Sequence, residues 1–402
     1  MSTPNIRSLN KMDFLKVVPN RKQKILEAPA TPLPPTSSYK ANELAAALHP
    51  KCQHLLVADI IEHAKGVKSF ILAPDKDSGT ENLAYFSAGQ YLSITLSVGN
   101  VVITRPYSLS SSPKESLEGK YMLTVKEVED GLASRYILDT WEVGTKVTAS
   151  GPLGEFTYEP LRDAKQIVGL AGGSGITPFR SLSKAIADGD EDADLTLIYG
   201  SRTKADALFQ DEFQQIAASC SRFRLVNVLS EEPAEGCEQG FITSDLIRRY
   251  APKTGECSLF VCGPQAMYNF VDKEIAALGL RRKFVRHELF SEYHNPGKDE
   301  DYPAGKDSMF RLTAVVCGEK KEMDCNANDS LLVTMEHNGI AVPAHCRSGI
   351  CGWCHSRLVS GEVYIPESME GRRLADFQFG YIHPCCTFPL SDVVIDVPPQ
   401  NV

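Results

Sequence analysis

Three cysteines stand close together in the stretch HCRSGICGWC, at Cys346, Cys351 and Cys354. This C-x4-C-x2-C spacing, followed by a distant fourth cysteine, is one that binds a [2Fe–2S] cluster through four thiolates. Small residues between the cysteines let the backbone turn tightly and point N–H groups at sulfide. A structural zinc ion and plain buried thiols are the alternatives, and a single C-x2-C pair is unusual for structural zinc. The run therefore predicts an iron–sulfur centre.

The stretch GYIHPCCTFPL offers two candidates for the fourth thiolate, Cys385 and Cys386. Adjacent residues of an extended segment point to opposite faces, so only one of them can readily reach the centre. Pro384 stiffens the chain immediately before Cys385, which suits a fixed ligand geometry. We predict that Cys385 is the ligand and that Cys386 is a buried thiol beside the site.

A second candidate site is the strand-like stretch TRPYSLSSSP (104–113). Arg105, Tyr107 and Ser108 should project together if the strand stays extended. A guanidinium can pair with a pyrophosphate, an aromatic face can stack on a flavin ring, and a hydroxyl can bind a ring nitrogen. Downstream, Gly131 and Ser134 stand at a loop-to-helix junction, where free N–H groups favour phosphate. Taken alone, the first stretch could equally be a strand followed by a serine-rich loop.

A third candidate site is the glycine-rich stretch IVGLAGGSGITPFRSL (167–182), which reads as a strand, a turn and a helix start. Glycines in the turn would let the backbone approach a pyrophosphate at a helix N-terminus. The later stretch YGSRT supplies Arg202, which can receive a 2′-phosphate, and no acidic residue stands ready there for a free 2′-hydroxyl. NADPH is therefore slightly favoured over NADH.

Two further residues belong to this part of the chain. Cys262, in VCGPQAM, ends the fourth strand of the alternating region, and a small buried thiol near a tight turn is its alternative interpretation. Glu288, in RHELF, is either an acidic group near the flavin or an exposed charge before a linker.

The chain has 402 residues, too many for one core, and its patterns divide it into segments. Short β-rich runs predict an antiparallel β-barrel over 51–162. Alternating strands and helices predict a parallel α/β domain over 163–291. A polar linker is predicted at 292–307, and 308–402 form a last domain. Residues 1–50, with the proline-rich APATPLPPTSS, are predicted to be an extension that is mobile or surface-draped, or that docks on a partner.

Composition narrows the function classes. The net charge of −9 argues mildly against nucleic acid as the main partner. No apolar run approaches the roughly 18 residues that cross a bilayer, and the N-terminus lacks the apolar region of a secretory signal. A cytoplasmic location is therefore expected. Twelve cysteines in a reducing compartment are metal ligands, redox groups or buried thiols more often than disulfides.

The motifs together resemble a known family. Residues 308–402 resemble a plant-type ferredoxin, and the order R-P-Y-S, G-x-x-S, G-P-x-G-x-F resembles the flavin domain of the ferredoxin–NADP reductase superfamily. The T-P and C-G-P pairs resemble its nucleotide domain. Residues 53–402 thus resemble ferredoxin–NADP reductase-type flavoproteins with a C-terminal ferredoxin, such as the reductase components of oxygenases and the hybrid-cluster-protein reductases. The implied fold is a β-barrel, a parallel α/β domain and a β-grasp ferredoxin domain.

The resemblance also implies roles for particular residues. FAD phosphates would be held by Arg105 and Ser134, with Tyr107 stacked on the isoalloxazine; some relatives bind FMN instead. Relatives have Tyr-x-x-x-Cys at the fourth ligand, which with Tyr381 again gives Cys385. The implied catalytic residues are Tyr107, Ser108, Thr177 and Cys262. The implied cofactor contacts are Arg105, Pro106, Tyr107, Ser108, Gly131, Leu132, Ala133, Ser134, Gly172, Gly173, Ser174, Gly175, Thr177, Pro178, Ser201, Arg202, Cys262, Gly263 and Pro264. The implied cluster ligands are Cys346, Cys351, Cys354 and Cys385.

The implied function is that of an NAD(P)H-dependent oxidoreductase. Electrons would pass from NADPH or NADH to FAD, then to a [2Fe–2S] cluster, then to a separate acceptor protein such as an oxygenase or a hybrid-cluster protein. Two alternatives remain: an electron-transfer subunit that works only inside a larger complex, and a flavin reductase that acts on small molecules.

Overall fold

The computed structural model describes residues 39–99, 101–129, 131–252, 256–289, 293, 296–299, 301–303 and 308–399, together with residues 21, 23, 24, 26 and 27. The chain divides into two units, Met1–Ala46 and Ala47–Val402. The proline-rich stretch 28–38 and much of the predicted linker lie outside the described residues. A helix, α1, spans Lys40–Leu48.

The first sheet of the larger unit is antiparallel and has six strands in the order β4-β3-β6-β1-β2-β5. Inward-facing residues alternate with outward ones at the start of β1, where Leu55 and Val57 are buried. Two helices accompany the sheet, α2 (Pro113–Leu117) and α3 (Leu132–Thr140). The strands are β1 (Gln53–Ala64), β2 (Val67–Pro74), β3 (Tyr91–Val98), β4 (Val101–Ser108), β5 (Tyr121–Lys126) and β6 (Lys146–Ala149).

The second sheet is parallel, with strand order β10-β9-β8-β7-β11-β12. Neighbouring residues of β7 enter different cores: Ile167 packs with helices α4 and α5, and Val168 with α6 and α7. Burial on both faces explains the continuous apolar runs of these strands. The strands are β7 (Gln166–Gly172), β8 (Asp194–Ser201), β9 (Phe223–Leu229), β10 (Glu238–Gln239), β11 (Cys257–Cys262) and β12 (Val285–Glu288), and the helices are α4 (Thr177–Asp188), α5 (Gln210–Ser219), α6 (Ser244–Tyr250) and α7 (Gln265–Ala276).

The third sheet is mixed and has the order β14-β13-β19-β15-β17, with a separate two-stranded ribbon of β16 and β18. Its first two strands form the predicted hairpin, and helix α8 packs its apolar face on them. Helix α9 and the β16–β18 ribbon lie outside the sequence-based expectations. The elements are β13 (Met309–Val316), β14 (Glu319–Asn326), α8 (Leu331–His337), β15 (Ser356–Ser360), β16 (Val363–Tyr364), α9 (Leu374–Phe379), β17 (Tyr381–Ile382), β18 (Phe388–Pro389) and β19 (Val393–Val397).

The predicted fold class is confirmed: an antiparallel sheet, a parallel α/β sheet and a C-terminal mixed sheet follow one another along the chain. One count was wrong. Cys262 ends the fifth strand of the parallel sheet, because the two-residue strand β10 precedes it. A two-residue strand carries too little hydrophobic pattern to be recognised in sequence.

Candidate redox site

The four predicted cluster ligands come together at one place. Cys346, Cys351 and Cys354 lie on the loop between α8 and β15, and Cys385 lies on the 3-10 turn Pro384–Cys386. Cys346 interacts with Cys351 and Cys385, and Cys385 interacts in turn with Cys354. Cys351 is the only one of the four that is partly exposed. A segment distant in sequence thus completes the group that the cysteine run begins.

Backbone N–H groups of the loop already point at these sulfurs. Ser348 N and Cys351 N donate to Cys346 Sγ at 3.4 and 3.3 Å, and Gly349 N donates to Cys385 Sγ at 3.3 Å. Thiolates and sulfides accept such bonds, so the loop fits a [2Fe–2S] cluster. No three His, Cys, Asp or Glu side chains of the described residues are arranged to hold a single metal ion, as a mononuclear zinc site would require.

Gly349 has no substitute in this loop. Its φ is +79°, and a Cβ there would lie 2.3 Å from the Met369 carbonyl oxygen and 2.8 Å from Cys386 Sγ. The loop can therefore close against its neighbours only with glycine at this position. Cys386 is fully buried and its thiol donates to the His383 carbonyl at 3.4 Å.

The predicted flavin residues lie on β4 and on the first turn of α3. Arg105 and Tyr107 share one face of β4, and both are partly buried. The expectation that Ser108 projects with them was wrong, because it directly follows Tyr107 and strand neighbours face opposite sides. Ser108 is buried, and its hydroxyl instead donates to Glu288 Oε2 at 3.4 Å.

The loop-to-helix junction is present as expected. Gly131 is the N-cap residue of α3, with Leu132, Ala133 and Ser134 in the first turn. The Ser134 hydroxyl accepts the N–H of Val128 at 3.1 Å and so shapes the turn itself. First-turn N–H groups of a helix are the donors that a phosphate uses.

The glycine-rich turn follows the carboxyl end of β7, where the strand order reverses between β8 and β11. A 3-10 turn, Gly173–Ile176, leads directly into α4, which begins at Thr177 and Pro178. Gly175 lies so close to β11 that a Cβ there would stand 2.1 Å from the Cys262 carbonyl oxygen. Such a switch point is where open α/β sheets bind their ligands. The turn also brings Gly172, Gly173 and Ser174 beside Gly263 and Pro264.

Ser201 ends β8, and Arg202 follows it, about two-thirds exposed. The statement that no acidic residue stands ready here was wrong. Asp206 Oδ1 lies 3.7 Å from Arg202 Nη2, and its other oxygen accepts both the N–H and the hydroxyl of Thr203 at 3.2 and 2.8 Å. The Thr203 hydroxyl is the main cause of a lowered pKa for Asp206. Four residues separate this acid from Arg202, too far for the strand-end pattern that sequence analysis used.

Glu288 resolves into one of its two alternatives: it is buried. It pairs with Cys262 across the register of β12 and β11. Burial raises the pKa of Glu288 well above its usual value, and burial followed by Glu288 raises that of Cys262. A carboxyl with such a pKa is protonated at neutral pH and can donate a hydrogen bond.

Tyr91 joins these groups to the cysteine loop. Burial raises its pKa, and the next contributions come from Cys346 and Cys351, followed by Glu288. A residue opposite Ser108 in the sheet is therefore near both the nicotinamide-side pair and the cluster loop. Sequence analysis did not find Tyr91, because a buried tyrosine at a strand start carries no distinguishing signal.

Three family models match the chain in the order of its sheets. An oxidoreductase FAD-binding domain matches residues 62–158, an oxidoreductase NAD-binding domain 170–273, and a 2Fe-2S iron-sulfur cluster binding domain 314–390. The chain is a ferredoxin–NADP reductase-type flavoprotein with a C-terminal plant-type [2Fe–2S] domain. The predicted family, enzyme class and route of electrons to an acceptor protein are thereby confirmed.

Relatives of this reductase align over most of its length. The glycine betaine monooxygenase reductase subunit of Chromohalobacter salexigens is 26% identical over 351 residues, 84% of this chain and 93% of its own. NADH oxidoreductase HCR of Escherichia coli is 29% identical over 314 residues, 77% of this chain and 88% of its own. The structure of phthalate dioxygenase reductase has the same fold, with a TM-score of 0.61 at 23% identity over 87% of this chain and 98% of that one. Within the described residues of this reductase, no helix has the length and apolar character that crossing a membrane requires.

Proposed function

We propose that this reductase takes a hydride from NADH and delivers single electrons to a separate oxygenase protein. The observation that carries the proposal is the convergence of Ser108, Cys262 and Glu288, from two sheets, beside Tyr91 and the cluster loop. Several relatives are named as reductase subunits of monooxygenases, one of a demethylase and one of an epoxidase. Single-electron delivery explains why a cluster follows the flavin.

The proposed division of labour assigns most of the chemistry to the cofactors. When bound, flavin accepts a hydride and the cluster carries one electron at a time. The chain's own residues bind, orient and exclude water. Arg105 and the first turn of α3 would hold FAD phosphates, Tyr107 would pack on the ring, and the Gly172–Gly175 turn would receive the nicotinamide nucleotide.

Asp206 supports NADH as the donor. A 2′-phosphate placed beside Arg202 would also meet the Asp206 carboxylate, whose lowered pKa keeps it charged. A free 2′-hydroxyl can instead donate to that carboxylate. One relative is named an NADH oxidoreductase. We also propose a cytoplasmic location, since all twelve cysteines are unpaired and reducing compartments keep them so.

An anaerobic titration of the purified protein tests the proposal. NADH should bleach both the flavin and the cluster bands, and cytochrome c should then be reduced. Flavin-free protein should keep its cluster spectrum unchanged on addition of NADH. Cluster bleaching without flavin would contradict the route, and rapid reduction only inside a larger complex would favour a partner-locked subunit.

Two variants test the choice of nucleotide. Asp206→Asn should lower the KM for NADPH by about tenfold, since the repulsion is relieved, and should leave the KM for NADH equal or higher. Arg202→Ala should weaken NADPH more than NADH. Equal changes for both nucleotides in both variants would show that the pair does not face the 2′ position.

A further inference from the structure

The cluster loop is tied to the flavin strand by a buried charge network. The carboxylate of Glu336, at the end of α8, accepts two hydrogen bonds from Arg347, at 2.7 Å to Nη1 and 2.9 Å to Nη2. The same carboxylate lies 3.7 Å from Nη1 of Arg105, on β4. Glu336 and Arg347 are 3% and 1% exposed. One carboxylate thus links a residue beside the ligand Cys346 to a residue of the proposed flavin site.

Two further contacts join the same segments. The hydroxyl of Thr104 donates to the Ala344 carbonyl at 2.7 Å. The Thr104 carbonyl is 2.9 Å from Arg105 Nη1 and 3.5 Å from Arg347 Nη1. The loop that carries the cluster ligands therefore meets β4 at the position immediately before Arg105.

The local backbone indicates that this arrangement is built for contact. Arg347 adopts φ +58°, in the left-handed region that costs a non-glycine residue about 1 kcal/mol or more. Two hydrogen bonds from a guanidinium to a buried carboxylate are strong enough to hold that conformation. A purely apolar contact could hold the loop, but it would fix neither the direction of Arg347 nor its link to β4.

We propose that Glu336 is a positioning residue for electron transfer, holding the cluster loop against the flavin strand through Arg347 and Arg105. The proposal rests on the proposed function, because Arg105 is assigned there to the flavin phosphates. An Arg105 that contacts both phosphate and Glu336 ties flavin binding to the placement of the loop. Electron transfer depends on the separation of the two cofactors, so a loosened loop slows that step and leaves the earlier one alone.

The test uses the full-length protein loaded with FAD and its cluster. Glu336→Gln keeps the shape of the side chain and removes its charge. We expect unchanged flavin and cluster content, an unchanged rate of flavin reduction by NADH, and cluster reduction slowed by about tenfold or more in stopped-flow absorbance. Hydrogen exchange should become faster in residues 101–108 and 344–348.

Two further variants sharpen the result. Thr104→Val removes the second contact without altering charge, and should slow cluster reduction in the same direction but less. Glu322→Gln, on the exposed side of β14, is the matched control and should behave as the natural protein. Should Glu336→Gln fail to fold, Thr104→Val still decides the question by the same two rates.

Other outcomes would overturn the proposal. Normal cluster reduction and normal hydrogen exchange in Glu336→Gln would show that the network does not position the loop. Loss of the cluster or of FAD in that variant would show a role in cofactor assembly instead. If the natural protein itself holds no FAD or cluster, the proposed function fails first, and the two failures are distinguished by its absorbance spectrum.

Discussion

Two glycines of the nucleotide turn should respond very differently to the same added methyl group. In Gly175→Ala the new Cβ would lie 2.1 Å from the carbonyl oxygen of Cys262 and 2.6 Å from the backbone nitrogen of Gly263. These are backbone atoms of a central strand, so β7 and β11 must separate. In Gly172→Ala the nearest atom is Sδ of Met267, at 2.4 Å, which is the movable end of a flexible side chain.

The magnitudes follow from what has to move. Forcing a methyl group into a packed backbone contact costs about 3 kcal/mol or more, whereas a methionine that rotates aside costs about 1 kcal/mol. In a domain of this size the first cost lowers the midpoint of thermal unfolding by about 6–12 °C and the second by a few degrees at most. Gly175→Ala should also displace the turn from Cys262 and raise the KM for NADH by about tenfold.

Thermal unfolding and NADH-dependent ferricyanide reduction measure the two effects, since ferricyanide takes electrons without requiring the cluster. An unchanged cluster spectrum in both variants would show that the damage stays in the nucleotide domain. Equal unfolding midpoints and equal KM values for the two variants would refute the reasoning, because the backbone contact would then be no harder to relieve than the side-chain contact.

Cys385→Ser should remove or weaken the cluster absorbance whereas Cys386→Ser should keep it, and the opposite result would make Cys386 the ligand. Glu288→Gln should gain stability relative to the natural protein as the pH rises above the usual Glu pKa of 4.5, because ionisation of a buried carboxyl favours the unfolded chain, by about 1.4 kcal/mol for each unit by which the folded pKa is raised; parallel stability curves between pH 4 and 8 would contradict this. Trp353→Ala, which alters a half-exposed side chain of the ligand loop, should raise the KM for cytochrome c and leave ferricyanide reduction unchanged, and the idea fails if both or neither change.

Patterns confined to one segment were predictable from sequence, and contacts between segments were not. The cysteine spacing, the hairpin of β13 and β14 and the strand–helix alternation each occupy a single stretch, so composition and periodicity revealed them. Glu336 and Arg347 are 11 residues apart, and Thr104 and Ala344 are 240 apart. No local pattern marks such pairs, because their partners are decided by how the sheets pack.

The error over Ser108 has a different cause. The motif R-P-Y-S suggests one functional group, whereas a strand sends its third and fourth members to opposite sides. Tyr107 remains on the face of Arg105, and Ser108 faces Glu288. Strict use of the two-residue period would have separated them in advance, although it would not have identified Glu288 as the partner.

The proposed chemistry is concentrated at strand ends, which explains how segments so distant in sequence can be placed accurately. The last residues of five strands are Ser108 (β4), Gly172 (β7), Ser201 (β8), Cys262 (β11) and Glu288 (β12). Four of these strands are parallel and adjacent through β8-β7-β11-β12, so their carboxyl ends lie along one edge in a register fixed by backbone hydrogen bonds. Loops then need only to bring the cluster ligands to that edge, and the Arg347–Glu336 pair supplies a contact that the sheets cannot. On this argument, substitutions that shift the register of β11 should disturb hydride transfer, whereas those that loosen the Glu336 network should disturb only the later electron transfer.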